Sequence, residues 1–248
     1  MNNLKLISTI ILAAGKGTRM LSDQAKVLHR LCGEPLLAYS LRLAGAIGSD
    51  KTVVIVGHQA GAVREAFPTP ELVFVEQRPQ LGTGHAVLQA RDHFSDYAGT
   101  ILILCGDVPC LKIDTVRSLI DRHRREQAAV TVMTTLLNEP GSYGRVITAP
   151  DGDVLKIVEA RDATDQEKQV REINTGIYCA DSRFLFEAVA QIKNDNSQQE
   201  YYLTDIIEIA CKMGCRVRSF VAADSFEVMG VNTLEDLEKA SEYLSCQL

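Results

Sequence analysis

The amino-acid sequence predicts an α/β fold, a mostly parallel β-sheet with helices on both faces and a smaller β-rich region beside it. Three observations predict it. Short unbroken apolar runs alternate with helix-periodic segments through the first half. Those runs lack the in–out alternation of a strand with one wet face, so they read as strands buried on both sides. After Ala128 the pattern turns β-rich around a hairpin signal.

The first buried strand runs from Leu6 to Ala13. The apolar stretch has no basic region ahead of it and leads straight into a Gly-rich loop, so it reads as a strand and not a leader. A helix follows around Pro35 to Ala46, with Leu36, Leu37, Leu41 and Leu43 on one broad face. Thr52 to Val56 is the next strand, ended by Gly57, and Leu72 to Val75 another. Gly84 to Phe94 is helical in pattern, Thr100 to Leu104 is a buried strand, and Ile113 to Arg125 is a helix. Strand and helix alternating at this spacing imply right-handed crossovers and a parallel sheet. Ligands of such sheets sit beyond the carboxyl ends of the strands, which makes the loop after the first strand a prime location.

In the second half, Val130 to Leu137 is β-rich. Arg145 to Thr148 and Val154 to Glu159 flank the turn P-D-G-D at 150–153, a hairpin signal. A strand at Thr175 to Cys179, helices after Ser182 and Thr204, and a strand at Val217 to Ala222 follow. The last helix starts near Thr233, where Asp236 completes an acidic variant of a capping pattern. No repeat or low-complexity linker interrupts the chain, so it reads as one continuous unit.

The 248 residues are enough to bury a full core, and 46% apolar with 23% charged residues exclude a disordered or fibrous chain. A net charge of -6 argues against general nucleic-acid binding, which needs an excess of Lys and Arg. A compact basic spot still suits a small anion. No stretch reaches the roughly 18 apolar residues of a membrane span, so no membrane is expected. Seven scattered cysteines fit a reducing, cytoplasmic setting better than a disulfide framework. Cys211 and Cys215 sit four apart on an expected helix, but no second Cys/His pair joins them to make a metal site.

Four groups of residues carry chemistry. The first is Ala13-Ala14-Gly15-Lys16-Gly17-Thr18-Arg19-Met20, with Lys26 beyond it. Glycines after a buried strand let backbone N–H groups approach phosphate oxygens, and Arg19 and Lys26 add charge. The spacing fits neither the P-loop nor the dinucleotide fingerprint, which also excludes a dehydrogenase. By itself the segment is an anion site. The second group is Leu81-Gly82-Thr83-Gly84-His85-Ala86 with Gln77 ahead of it. It reads either as a plain helix start or as a second phosphate-facing loop, with the Gln77 amide able to pair with a base edge.

The third group is Leu104-Cys105-Gly106-Asp107-Val108-Pro109, where Asp107 suits equally a Mg²⁺ ion beside phosphates or a simple turn cap. The fourth comprises Tyr143-Gly144-Arg145, Val158-Glu159-Ala160, Glu172 to Gly176, and Glu200 to Asp205. Amides, carboxylates and hydroxyls at strand and helix ends suit a multi-hydroxyl sugar, although each also has a structural reading. Asn232, in Gly230-Val231-Asn232, is either a second oxygen ligand or part of the last helix start.

Taken in order, these segments resemble the bacterial N-acetylglucosamine-1-phosphate uridylyltransferases, in the pyrophosphorylase half of a bifunctional enzyme. The resemblance rests on L-A-A-G-K-G-T-R-M, K-V-L-H, L-G-T-G-H-A, G-D-V-P, Y-G-R, I-V-E, E-I-N-T-G, E-Y-Y-L-T-D-I-I and G-V-N. The first motif marks the broad sugar nucleotidyltransferase superfamily; I-N-T-G with E-Y-Y-L-T-D-I-I narrows it. The resemblance implies a Rossmann-like sheet of the nucleotide-diphospho-sugar transferase type, with residues 1–127 binding nucleotide and 128–248 binding sugar. It implies that Leu12, Ala13, Ala14, Gly15, Gln77, Gly82 and Thr83 hold the uridine nucleotide. Arg19 and Lys26 would bind the triphosphate and stabilise its transition state, and Asp107 and Asn232 would ligate Mg²⁺. Gly144, Glu159, Asn174, Tyr202 and Thr204 would contact the N-acetylglucosamine.

The implied reaction is UTP plus N-acetylglucosamine 1-phosphate giving UDP-N-acetylglucosamine and pyrophosphate, by in-line attack on the α-phosphorus. The nucleophile is already an anion, so no general base is required and catalysis is mostly positioning and charge neutralisation. Cys105 stands where the family usually has an aromatic residue. The family's acetyltransferase β-helix has no counterpart in this sequence, so acetyl transfer is expected from a separate catalyst, and a monomer is expected. The rivals are a sibling enzyme for another sugar or base, and a catalytically silent nucleotide-sugar sensor.

Overall fold

The structure is a computed structural model that describes residues 6–150 and 152–246. Strand β1 (Ile7–Ala13) carries apolar residues on both faces because both are covered. Ile10 points to one side of the sheet and Ile11 to the other, each fully buried. Each such side chain contributes about 1.5–3 kcal/mol of burial free energy. After β1 the chain makes a loop and a two-residue hairpin, β2 (Arg30–Leu31) and β3 (Glu34–Pro35). Helix α1 (Leu36–Ala46) follows with Leu36, Leu37 and Leu43 buried and Leu41 packed at the margin. Strand β4 (Thr52–Val56) matches its expected range.

Helix α2 (Ala60–Ala66) is not anticipated by the sequence reading. Its stretch A-G-A-V-R-E-A has Val63 as its one large apolar residue, too little periodicity to announce a helix. Strand β5 (Leu72–Glu76) and helix α3 (Thr83–Gln89) come next. The segment expected to be helical to Phe94 instead ends α3 at Gln89 and makes a short 3₁₀ turn over Arg91–Phe94. Strand β6 (Thr100–Cys105) and helix α4 (Ile113–Glu126) complete the first half.

The second half supplies β7 (Val130–Leu136), the hairpin β8 (Arg145–Thr148) and β9 (Val154–Val158), and β10 (Glu172–Asp181). Helices α5 (Ser182–Val189) and α6 (Asp205–Lys212), strand β11 (Val217–Val221) and helix α7 (Leu234–Ser245) follow. Asp151, in the turn expected at 150–153, lies outside the described residues, as does the segment 1–5 ahead of β1. Helix α6 stops at Lys212, so Cys211 is helical and Cys215 lies beyond its end.

Among the described residues, nine strands form one sheet, with the order β11-β7-β10-β6-β1-β4-β5 and the β8–β9 hairpin attached through β10. The pairs β1–β4, β1–β6, β4–β5 and β7–β11 are parallel. Strand β10 runs antiparallel between β6 and β7, so the two halves of the chain share one sheet. Helices α3, α5 and α6 bury Val87, Leu185 and Ile206 against the face that holds Ile10. Helices α1, α2 and α4 bury Leu37, Val63 and Leu119 against the face that holds Ile11. From β1 the chain moves outward through β4 to β5, then returns to place β6 on the other side of β1. That reversal of strand order opens a crevice beyond the carboxyl ends of β1 and β6.

Candidate active site

The crevice is a cavity of about 450 Å³ lined by Leu12, Ala13, Ala14, Gly15, Lys26, Gln77, Gly82, Thr83 and Asp107. All seven residues expected to hold the nucleotide therefore meet in one place. The cavity wall also includes three charged or amide side chains that carry no nucleotide role in the sequence reading, Lys16, Gln80 and Glu200. Gln80 donates its amide to the carbonyl of Ala14, which fixes the loop after β1. No local pattern marks it, because its role depends on β5 and β1 being near neighbours in the sheet. Glu200 was read with the sugar residues, but its strap folds back against Gly82.

That fold-back is a close backbone approach. Gly84 N–H donates to Tyr201 O at 2.7 Å, and Tyr201 N–H donates to Leu81 O at 2.8 Å. Gly82 has φ +104, and a Cβ there would lie 2.7 Å from Tyr201 O, so only glycine fits. Thr83 Oγ1 accepts from Leu203 N–H at 3.0 Å. Gln77 is buried, and its amide nitrogen donates to Gly82 O at 2.9 Å and contacts His85 Nδ1 at 3.1 Å. A carbonyl can only accept, so the nitrogen of Gln77 faces Gly82 and its oxygen remains to accept from a ligand. Burial pushes the His85 imidazole below its ordinary pKa, which favours the neutral ring beside Gln77.

The cationic side of the cavity is built from three distant segments. Lys26 Nζ donates to Asp107 Oδ2 and, at 3.1 Å, to Asn232 Oδ1. Arg19 Nη2 donates to the same Asn232 oxygen at 2.9 Å. Lys26 can come this close because Gly17, at φ +63, has no side chain; a Cβ there would sit 2.6 Å from Lys26 Cβ. Asn232 does both things the sequence left open, since its side chain joins this cluster while it precedes the Thr233 cap of α7. Two hard oxygens, one carboxylate and one carboxamide, already converge on a single ammonium. That donor set suits Mg²⁺, which takes one or two protein oxygens and completes its shell with phosphates and water. Among the described residues, no group of three or more His, Cys, Asp and Glu could hold a metal.

Around the β8–β9 hairpin, four of the five expected sugar residues meet. A Cβ on Gly144 would lie 3.5 Å from both carboxylate oxygens of Glu159. Thr204 Oγ1 donates to Glu159 Oε1 at 3.2 Å, and Asn174 N–H donates to Gly144 O at 2.9 Å. Burial holds the Glu159 carboxyl above its ordinary pKa, and the Thr204 hydroxyl bond offsets part of that rise. Asn174 Oδ1 accepts from Gly176 N–H at 3.0 Å and from Tyr178 OH at 2.9 Å, so the amide NH₂ is what it presents. Tyr202 is the fifth. Its hydroxyl is turned to Asp162, at 3.3 Å, and to the Gln198 amide, at 2.7 Å. Arg145, buried, donates to the carbonyls of Tyr143 and Gly141 and so pins the loop that carries Gly144. Cys105 Sγ donates to Gly176 O at 3.4 Å, and burial pushes its thiol up to about 12, so it serves as packing.

A sequence profile of the MobA-like NTP transferase domain matches residues 9–202, most of the chain. The chain belongs to that family. The MobA-like NTP transferase match ends at Tyr202, so the Asn232 end of the cation cluster lies beyond it. Proteins named bifunctional protein GlmU are 49% identical in Geobacter metallireducens and 45% identical in Desulfotalea psychrophila, each over 96% of this chain. The chain spans 50% of the first and 70% of the second. The match fits the pyrophosphorylase resemblance carried by the motifs. A crystal structure of UDP-glucose pyrophosphorylase complexed with UDP-glucose superposes with a TM-score of 0.79 over 98% of this NTP transferase and 100% of that chain. At 16% identity it supports the fold alone. No helix among the described residues is long and apolar enough to cross a membrane.

Proposed function

We propose that this nucleotidyltransferase makes UDP-N-acetylglucosamine and pyrophosphate from UTP and N-acetylglucosamine 1-phosphate. The convergence of Arg19, Lys26, Asp107 and Asn232 beyond β1 and β6 carries the proposal. The similarity to the GlmU proteins supports its choice of substrates. Most of the nucleotide contacts come from residues 1–127 and the sugar contacts from 128–248, with Glu200 and Asn232 reaching back to the nucleotide side, in a cytoplasmic setting.

The backbone of Leu12 to Gly15 and of Gly82 to Thr83 lies along the nucleotide. Gln77 Oε1 accepts from the N3–H of uracil, a donor that cytosine lacks. Glu159, Thr204 and the Asn174 amide orient the sugar hydroxyls and acetamido group, with Gly144 leaving room and Tyr202 closing the edge. Lys26 and Arg19 place positive charge on the phosphates and meet the charge that grows on the departing pyrophosphate. The sugar-phosphate oxygen is already ionised, so these residues need to align it with the α-phosphorus and not to deprotonate it. Asp107 and Asn232 would hold Mg²⁺, which when bound neutralises charge between the α-phosphate and the sugar phosphate.

Pyrophosphate release tests the reading across UTP, dTTP, CTP and ATP with N-acetylglucosamine 1-phosphate or glucose 1-phosphate, with and without Mg²⁺. The fastest turnover is expected with UTP and N-acetylglucosamine 1-phosphate, and none without metal. A clear preference for another pair, or no turnover with any, overturns it.

A further inference from the structure

Asn232 reaches the cation cluster through its side chain, while its backbone is held by a residue one helical turn away. Asp236 Oδ2 accepts from the N–H of Asn232 at 2.9 Å and from the N–H of Thr233 at 3.0 Å. In return Asp236 N–H donates to Thr233 Oγ1 at 3.1 Å, which completes a capping box on α7. A capping box needs the two bonds between its own members. The bond to Asn232 is additional to it. The carboxamide of Asn232 is turned by a further bond, Nδ2 to Gly230 O at 2.9 Å, which leaves its oxygen for Lys26 and Arg19.

We propose that Asp236 is a positioning residue for the cation site, aiming the Asn232 oxygen at the point where it and the Asp107 carboxylate meet. This rests on the reading of Asp107 and Asn232 as metal ligands. Without the Asp236 acceptor, the N–H groups of Asn232 and Thr233 lose their partner, and the end of the turn beyond Val231, whose own N–H stays bonded to Asp107 O, is free to rotate. A ligand displaced by about 1 Å no longer shares a metal with Asp107. Partners that orient metal ligands typically change affinity by about 10–100-fold when removed. Asp236 touches neither the metal nor the substrate in this role, and the packing of α7 through Ala240, Leu237, Tyr243 and Leu244 does not involve its side chain.

The test compares Asp236→Ala, Asp236→Asn, Thr233→Ala and Asn232→Ala with the unaltered protein. Mn²⁺ serves as the metal probe, titrated in the presence of UDP-N-acetylglucosamine and followed by water-proton relaxation, with melting temperature measured alongside. Asp236→Ala is expected to raise the Mn²⁺ concentration for half-saturation about tenfold. Asp236→Asn keeps an acceptor oxygen and stays within about twofold. Thr233→Ala removes the other arm of the capping box, lowers the melting temperature as Asp236→Ala does, and leaves Mn²⁺ binding unchanged. Equal weakening in Thr233→Ala and Asp236→Ala reduces Asp236 to a helix cap and overturns the proposal. So does unaltered Mn²⁺ binding by Asp236→Ala beside a weakened Asn232→Ala. If Asn232→Ala also binds Mn²⁺ normally, the metal assignment fails and this proposal with it.

Discussion

The backbone N–H of Val231 donates to the carbonyl oxygen of Asp107 at 2.8 Å. This bond fastens the turn before α7 to the turn after β6, and so places Asn232 beside Asp107. The two turns also bury Val231 and Cys110 in a small apolar cluster with Leu31, Leu36 and Ala240. The cation site is thus backed by packing and not only by its own charges.

Lys26 is the hub of that site, bonded to both the Asp107 carboxylate and the Asn232 carboxamide oxygen. Lys26→Gln keeps most of the volume and removes the charge. A fall in kcat of about 10²–10³-fold is expected, the usual effect of deleting one group that stabilises transition-state charge. Steady-state pyrophosphate release measures it. A change below threefold removes Lys26 from the chemistry.

Gly17 is required by geometry. Alanine at φ +63 adds roughly 1–2 kcal/mol of backbone strain, and its methyl meets Lys26 Cβ. Gly17→Ala is expected to lower turnover at least tenfold while the melting temperature falls only by about 2–8 °C. Turnover within twofold of the parent chain would show that the close approach to Lys26 is unnecessary.

Gln77 tests base recognition. Gln77→Ala removes both the acceptor for the base and the donor to Gly82 O. KM for UTP is expected to rise by about tenfold or more, on the scale of a lost buried hydrogen bond, and discrimination against CTP to shrink. Unchanged selectivity between the two nucleotides would move base recognition elsewhere in the cavity.

His123 makes stability depend on pH. It is buried against Thr131 Oγ1, at 3.0 Å, and burial pushes its imidazole down to about 4. The folded pKa lies below the ordinary imidazole value of 6.5, so the unfolded chain binds the proton more readily. The neutral ring's contribution is complete above pH 6.5 and is lost as pH falls from there toward 4. The loss approaches about 3 kcal/mol. Urea denaturation at pH 7.5 and pH 5 should show a smaller pH difference in His123→Gln than in the parent chain. Equal differences would show that His123 does not set this dependence.

Much of the site was legible because its residues follow strand ends. Ala13 to Lys16 and Gly106-Asp107 come directly after unbroken apolar runs, and a sheet places such positions at its carboxyl edge. The capping box at Thr233 and Asp236 was legible for the same local reason, a three-residue spacing. Gln80 and the placement of Glu200 against Gly82 were not, since their meaning depends on contacts between segments far apart in the chain.

The sequence by itself determined most of the strands and helices, and where glycine and charge fall at their ends. Apolar period and turn chemistry are local, and they report burial without naming the partner. Only the tertiary structure decided that β10 enters antiparallel between β6 and β7, that A-G-A-V-R-E-A is helical, and that Val231 bonds to Asp107 and so holds Asn232 beside it. Each of those outcomes is fixed by packing between distant segments: the sheet takes the strand whose two faces fit, and the turn before α7 goes where Val231 can be buried and its N–H paired.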